Sequence, residues 1–192
     1  AKSSREFDLE KFNAGEYVVG VEDKTVSENI SKVLYPADEK YAGRELRLKQ
    51  QYFFTSATIQ DILRRFRKGD DGEWDLLPDK VAIQLNDTHP AIAIPELMRV
   101  LVDDEALEWD RAWWLCQRVF AYTNHTVLPE AMETWPRDLM ERLLPRHLQI
   151  IEEIDRRFRE VVTKAYGEEV MQRLSIIDDQ QQRVRMANLA IV

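Results

Sequence analysis

At 192 residues with 44% apolar content, the chain can build one sizeable core, and its 32% of charged residues suits a water-facing surface of mixed sign. A formal net charge of −8 argues against a nucleic-acid partner, since phosphate binding depends on basic surface that releases counterions. One cysteine, Cys116, excludes an internal disulfide and fits a reducing, cytoplasmic setting; no apolar run approaches the length of a membrane-spanning helix, and no signal-peptide pattern opens the chain.

In chain order, Asn13-x-x-Glu16 has the form of a capping box and predicts a helix through Tyr17, Val18 and Val21. Thr25-x-x-Glu28 opens or renews a helix through Ile30, Val33 and Leu34, which Tyr35-Pro36-Ala37-Asp38 ends because the residue before proline is pushed out of the helical region. From about Arg44 to Arg67, Leu48, Tyr52, Thr55, Ile59, Leu63 and Phe66 recur at steps of three and four, the stripe of a long half-buried helix. Lys68-Gly69-Asp70-Asp71-Gly72 stops it.

Val81-Ala82-Ile83-Gln84-Leu85 is a short apolar run before Asn86-Asp87 and predicts a buried strand. A helix entered at Pro95 follows, then another from about Trp109 to Arg118, with Cys116 read as core filler among Trp113, Trp114, Val119 and Phe120. Val119-Phe120-Ala121-Tyr122 predicts a second strand that ends at Thr123-Asn124-His125-Thr126. Pro136 to Ala165 is a helical stretch with Leu148, Ile151, Ile154, Phe158, Val161 and Ala165 in phase, kinked or restarted at Pro145 and closed by Gly167. Glu168 to Leu174 predicts one more helix. Strands alternating with helices give a helix-rich α/β class, and no internal repeat or linker is visible. The start at Ala1 and the closing apolar run Leu189-Ala190-Ile191-Val192 read as ends of a piece cut from a longer chain.

Candidate chemistry gathers after the two strands. In open α/β sheets the ligand crevice lies beyond the carboxyl ends of the strands, so Asp87, His89, Asn124, His125 and Thr126 can reach one rim. These short donors and acceptors suit a neutral, hydroxyl-rich ligand such as a sugar. The competing structural reading is that Asp, Asn and Thr after a strand are ordinary turn and capping residues. A metal site from His89, His125 and a carboxylate is the third option, though nothing here has the ligand spacing of a zinc motif. His147, set on a helical surface, reads as structural. Arg64-Arg65, with Arg67 and Lys68, makes a basic helix end that either complements the helix dipole or binds an anion. No dinucleotide or phosphate loop, serine elbow or cysteine nucleophile setting appears.

The segment Val-Ala-Ile-Gln-Leu-Asn-Asp-Thr-His-Pro at 81–90, continuing through Ile94-Pro95-Glu96-Leu97-Met98-Arg99, closely resembles the glycogen (α-glucan) phosphorylase family. So do Glu28-Asn29-Ile30-Ser31-Lys32-Val33-Leu34-Tyr35-Pro36, Gly43-Arg44-Glu45-Leu46-Arg47-Leu48-Lys49-Gln50, the run Ala121 to Glu130 and the run Leu144 to Ile151, together covering essentially the whole chain in the family's order. The resemblance implies the C-terminal part of the N-terminal domain of a two-domain, Rossmann-like, GT-B-like glycosyltransferase. Within it, about 13–43 would hold the tower helix and gate loop, about 81–135 the sugar pocket, and about 136–192 a helical region. The implied reaction is reversible phosphorolysis of a terminal α-1,4-glucosyl unit of glycogen, starch or maltodextrin by inorganic phosphate, giving glucose 1-phosphate.

By the same resemblance, His125 holds the glucosyl 6-hydroxyl and turns its carbonyl toward the developing positive charge. Asp87, His89, Thr126 and Glu133 line the pocket wall, Asp38 sits on the gate loop with Arg47 just beyond it, and Arg64 and Arg65 match an effector-phosphate site of allosteric members. Glu39-Lys40 departs from the amide side chains usual in the animal gate loop. The helix from about Glu16 matches the family's tower helix, implying a homodimer. The cofactor is pyridoxal phosphate, held by a lysine of the other domain, so the piece alone is expected to be inactive. A non-catalytic carbohydrate-binding or dimer-forming module of the same fold is the alternative.

Overall fold

Asp8 opens the first helix because its carboxylate accepts the Lys11 backbone N–H at 3.2 Å, satisfying one of the amides that a helix start leaves bare. The computed structural model describes residues 7–34, 36–37, 39–69, 73–128 and 132–192. The chain divides into two compact units, residues 1–53 and 54–192.

In the first unit, α1 (Leu9–Asn13) leads to a 3₁₀ turn (Val19–Val21) and then α2 (Glu22–Lys32). Asn13 therefore ends a helix rather than starting one, and Thr25 sits inside α2, bonding back to the Val21 carbonyl at 3.1 Å. Gly15, at φ 84°, supplies the bend between α1 and the 3₁₀ turn, a conformation that costs glycine little. Phe7, Phe12 and Tyr17 meet in succession, the first pair tilted and the second edge to face, with ring centroids 4.7 Å apart in each pair. Tyr17, Val18, Val26, Val33 and Leu34 are nevertheless largely exposed. The Gln50 amide donates to the Val33 carbonyl at 2.6 Å, tying the end of α2 to α3 (Tyr41–Gly69). This long helix matches the predicted stripe: Leu48, Ile59, Leu63 and Phe66 are buried.

The second unit holds the rest of α3, then α4 (Leu77–Lys80), β1 (Ile83–Asn86), α5 (Ala93–Arg99), α6 (Trp109–Val119) and β2 (Phe120–Thr123). β1 and β2 pair in parallel, Ile83 opposite Phe120 and Asn86 opposite Thr123. Parallel strands need a long crossover, and α5, a π-turn over Val100–Asp104 and α6 provide it. α5 starts two residues before Pro95, at Ala93, because the loop has already turned helical at Pro90: the Ala93 N–H bonds to the Pro90 carbonyl at 2.9 Å. Every residue of α5 from Ala93 to Met98 is buried, which makes it a core helix with no solvent face until Arg99.

β3 (Thr134–Pro136), α7 (Arg137–Leu143), α8 (Pro145–Tyr166), α9 (Glu168–Leu174), β4 (Ile177–Asp178), β5 (Arg183–Arg185) and α10 (Met186–Ile191) complete the unit. Pro145 restarts the helix as predicted, its ring fitting the first turn. Gly167, at φ 86°, closes α8. The antiparallel sheet β3-β5-β4 has no counterpart among the predicted elements; strands of two and three residues carry too little periodicity to read. The α8 stripe also drifts: Val162 is buried while Val161 is 67% exposed, because 3.6 residues per turn moves a fixed spacing off the face over six turns.

Two buried carboxylates hold these elements together. Asp155 of α8 accepts the Ile176 N–H at 2.6 Å and pairs with Arg159, which also donates to the Ile177 carbonyl, so α8 is fastened to β4. Arg185 and Asn188 then satisfy the open carbonyls at the end of α9, from Gln172 to Ser175. Glu96 of α5, fully buried, accepts Ser56 of α3 at 2.7 Å, Arg99 at 3.0 Å and His147 of α8 at 2.6 Å. His147 is thus structural, but it lies inside at 3% exposure rather than on a surface. Burial alone would raise the Glu96 carboxyl; the hydrogen bonds from His147, Arg99 and Ser56 overcome that and bring it from 4.5 to about 2. A depressed folded value means that its contribution is complete above pH 4.5 and is lost as pH falls toward 2. Glu96→Gln keeps the shape but removes the charge that faces three donors, and should cost about 2–4 kcal/mol in urea unfolding at pH 7. That deficit should shrink on titration through the same acid range, and a pH-independent deficit would contradict the assignment.

Candidate sugar-pocket rim

The parallel register brings the two strand ends together. The Asp87 N–H donates to the Thr123 carbonyl at 2.8 Å, so the ladder runs one residue past β1 before both chains turn away. Asp87 adopts φ 66°, a left-handed conformation that Asp tolerates because its short side chain bonds its own neighbours. Its Oδ1 accepts the Thr88 N–H at 2.7 Å and its Oδ2 accepts the Thr126 hydroxyl at 2.8 Å. Asn124 Oδ1 accepts the Thr126 N–H at 2.8 Å, an Asx turn that shapes the second loop.

Asp87 is buried, and burial by itself would push its carboxyl up. The Thr126 hydroxyl, the Thr88 and His125 backbone N–H groups and the nearby His89 more than offset this, so the carboxyl lies below the usual 3.8. His89 is half-buried, and His125 and Asn124 are exposed on the rim. The predicted group Asp87, His89, Asn124, His125 and Thr126 is therefore gathered at the carboxyl ends of two adjacent parallel strands, where open α/β sheets place their ligand crevices.

Sequence reasoning missed one neighbour. Tyr122, opposite Leu85 in the register, has an enclosed phenol oxygen without a hydrogen-bond partner. Burial and the Asp87 charge both push its ionisation up. The only signal for it was its place on the strand face that also carries Phe120.

Glu133 immediately precedes β3, and its carbonyl accepts the Met186 N–H at 3.1 Å. Arg47 is on the part of α3 that belongs to the first unit. Asp38 falls outside the described residues. Arg64 and Arg65 are exposed and both pair with Asp61, at 2.5 and 3.1 Å. A cleft of about 440 Å³ beside Arg64 also carries the carboxylates of Asp61, Asp104 and Glu105. Cys116 is core filler as read from the sequence: burial pushes its thiol far up, away from a reactive thiolate. Among the described residues no group of three His, Cys, Asp or Glu side chains is arranged to hold a metal ion, and no helix is long and apolar enough to cross a membrane.

The family model described as carbohydrate phosphorylase matches residues 1–192. This chain belongs to the carbohydrate phosphorylase family. It is 52% identical to the liver form of glycogen phosphorylase of Homo sapiens, and 53% identical to the muscle forms of Ovis aries and Oryctolagus cuniculus. Each match covers 100% of this phosphorylase chain and 24% of the relative, so the chain spans about a quarter of their length.

The Thr126–Asp87 bond makes a direct prediction for this phosphorylase rim. Replacing Thr126 with Val removes a donor from a buried carboxylate without changing shape. The Asp87 carboxyl should then titrate upward, and stability should fall by about 1–2 kcal/mol. Carbon-detected NMR of the Asp87 side chain would show this. A titration unchanged by the substitution would mean that the bond is not formed in solution.

Proposed function

We propose that the parent polypeptide is an α-1,4-glucan phosphorylase, removing terminal glucosyl units with inorganic phosphate to give glucose 1-phosphate, and that this chain supplies part of its sugar pocket. The observation that carries the reading is the Asp87–Thr126 tie, which joins the loop carrying His125 to the end of β1 at one rim, in a chain of this family. His125 holds the 6-hydroxyl of the glucosyl unit through its ring, and its backbone carbonyl faces the positive charge that grows on the sugar as the glycosidic bond breaks. A fixed dipole aimed at developing charge lowers the barrier because it needs no reorientation during the reaction. Asp87, His89, Thr126 and Glu133 form the wall around it, with Asp38 and Arg47 contributed by the gate loop and its flank. In this reading the fold is part of a Rossmann-like, GT-B-like N-terminal domain, with the gate and tower segment at about 13–43, the pocket at about 81–135 and a helical region beyond it.

Pyridoxal phosphate is the parent's cofactor in this proposal, and when bound its phosphate supplies a proton donor. By the family resemblance its lysine belongs to the other domain of the parent. The exposed apolar side chains of α1–α2, including Tyr17, Val18, Val26 and Val33, support a homodimer contact through this arm. Arg64 and Arg65 are carried as an effector-anion site, in competition with their pairing to Asp61.

The full-length parent with maltodextrin and inorganic phosphate should release glucose 1-phosphate. His125→Ala removes the ring that holds the 6-hydroxyl and leaves the backbone carbonyl, and should lower kcat/KM by about 10–100-fold, the range for an enclosed hydrogen bond left unmade. An inactive parent containing pyridoxal phosphate would end this reading. Full activity in His125→Ala would keep the reaction and cancel the residue's role. The isolated chain, with pyridoxal phosphate added, should show no phosphorolysis.

A further inference from the structure

Asp87 stands among residues proposed to line a sugar pocket, yet both of its carboxylate oxygens already bond within the chain. Its N–H is given to Thr123, Oδ1 takes the Thr88 N–H, and Oδ2 takes the Thr126 hydroxyl. Both carboxylate oxygens are therefore engaged before any ligand arrives. The donor on Oδ2, the Thr126 hydroxyl, belongs to the segment that carries His125. Beyond the Asn124 turn that segment has no regular structure: among the described residues, 124–128 and 132–133 include neither helix nor strand. Asn124, His125, Val127 and Leu128 are exposed, whereas Asp87 is buried. The buried anchor and the exposed loop are therefore different in kind, and a ligand approaching the rim meets the loop.

We propose that Asp87 is a positioning residue: its carboxylate holds the His125–Thr126 loop against the end of β1, and acts on the reaction through the placement of His125. The proposal rests on the phosphorylase reading of His125. Displacing a group that must face a transition state by a fraction of its contact distance costs rate without a matching loss of ground-state binding. An amide at this position has one oxygen to accept with and an NH₂ group that confronts one of the donors, so Asp87→Asn should loosen the loop while nearly conserving volume.

The test uses the full-length parent. Hydrogen exchange at the His125 and Thr126 amides should quicken at least about tenfold in Asp87→Asn, because the Thr126 hydroxyl loses its charged acceptor and the loop that carries both amides opens more often. Thr126→Val, which removes one donor and leaves the carboxylate, should show a smaller effect in the same direction and serves if Asp87→Asn does not fold. In glucan phosphorolysis, Asp87→Asn should lower kcat about 100-fold with KM within about threefold. Placed in a His125→Ala background it should cost clearly less than in the wild type, because the ring that the loop positions is already gone while the backbone carbonyl remains. An undiminished loss in that background would assign Asp87 a direct contact with substrate and overturn the proposal. Unchanged exchange at His125 and Thr126 would overturn it whether or not the parent is active. A parent without phosphorolysis whose exchange still responds would remove the phosphorylase reading and leave the strut.

Discussion

The pocket rim depends on the parallel pairing of β1 with β2. Parallel strands emit their chains from the same edge, so two loops separated by more than thirty positions in sequence leave side by side. A slip of one residue would turn Leu85 outward and carry Asp87 to the opposite face, since side chains alternate along a strand. The core prevents this by burying Leu85, and the Asp87 N–H bond to Thr123 extends the same register into the loops. Packing and site geometry are in this sense one constraint: the residue that ends the ladder is also the residue that anchors the second loop.

Buried charge performs the fastening elsewhere. Glu96 gathers Ser56, Arg99 and His147, and Asp155 gathers Ile176 and Arg159. An ionised carboxylate in a dry core is tolerated only when its lone pairs are filled, so each such group fixes the relative placement of every partner that fills it. Asp87 obeys the same logic at the surface of the sheet. The difference is that one of its partners, Thr126, belongs to a loop without regular structure, which turns a packing device into one that bears on the rim.

Much of the fold is legible in the sequence, for identifiable reasons. The α3 stripe repeats over six turns, and Pro145 and Gly167 mark the ends of α8 by backbone chemistry alone. The two parallel strands are short but bounded by turn residues. By contrast, β3, β4 and β5 escape a sequence reading because Thr134–Pro136, Ile177–Asp178 and Arg183–Arg185 have no period to detect. Asn13 and Glu16 match a cap spacing, but Asp8 has already started the helix that Asn13 ends. His147 and Glu96 resemble surface residues because charge usually means exposure; nothing local announces that partners 40 and 51 positions away will fill their bonds.

The sequence by itself determined the family, the α/β class, the long helices and the identity of the rim residues, because motif order, helical period and turn chemistry are local properties. Only the tertiary structure decided that the Asp87 carboxylate is committed to the His125 loop, that His147 belongs to the core, and that Tyr122 keeps an enclosed hydroxyl without a partner. Each of those depends on which groups from distant segments arrive within hydrogen-bond distance, and that is set by packing rather than by any neighbour along the chain.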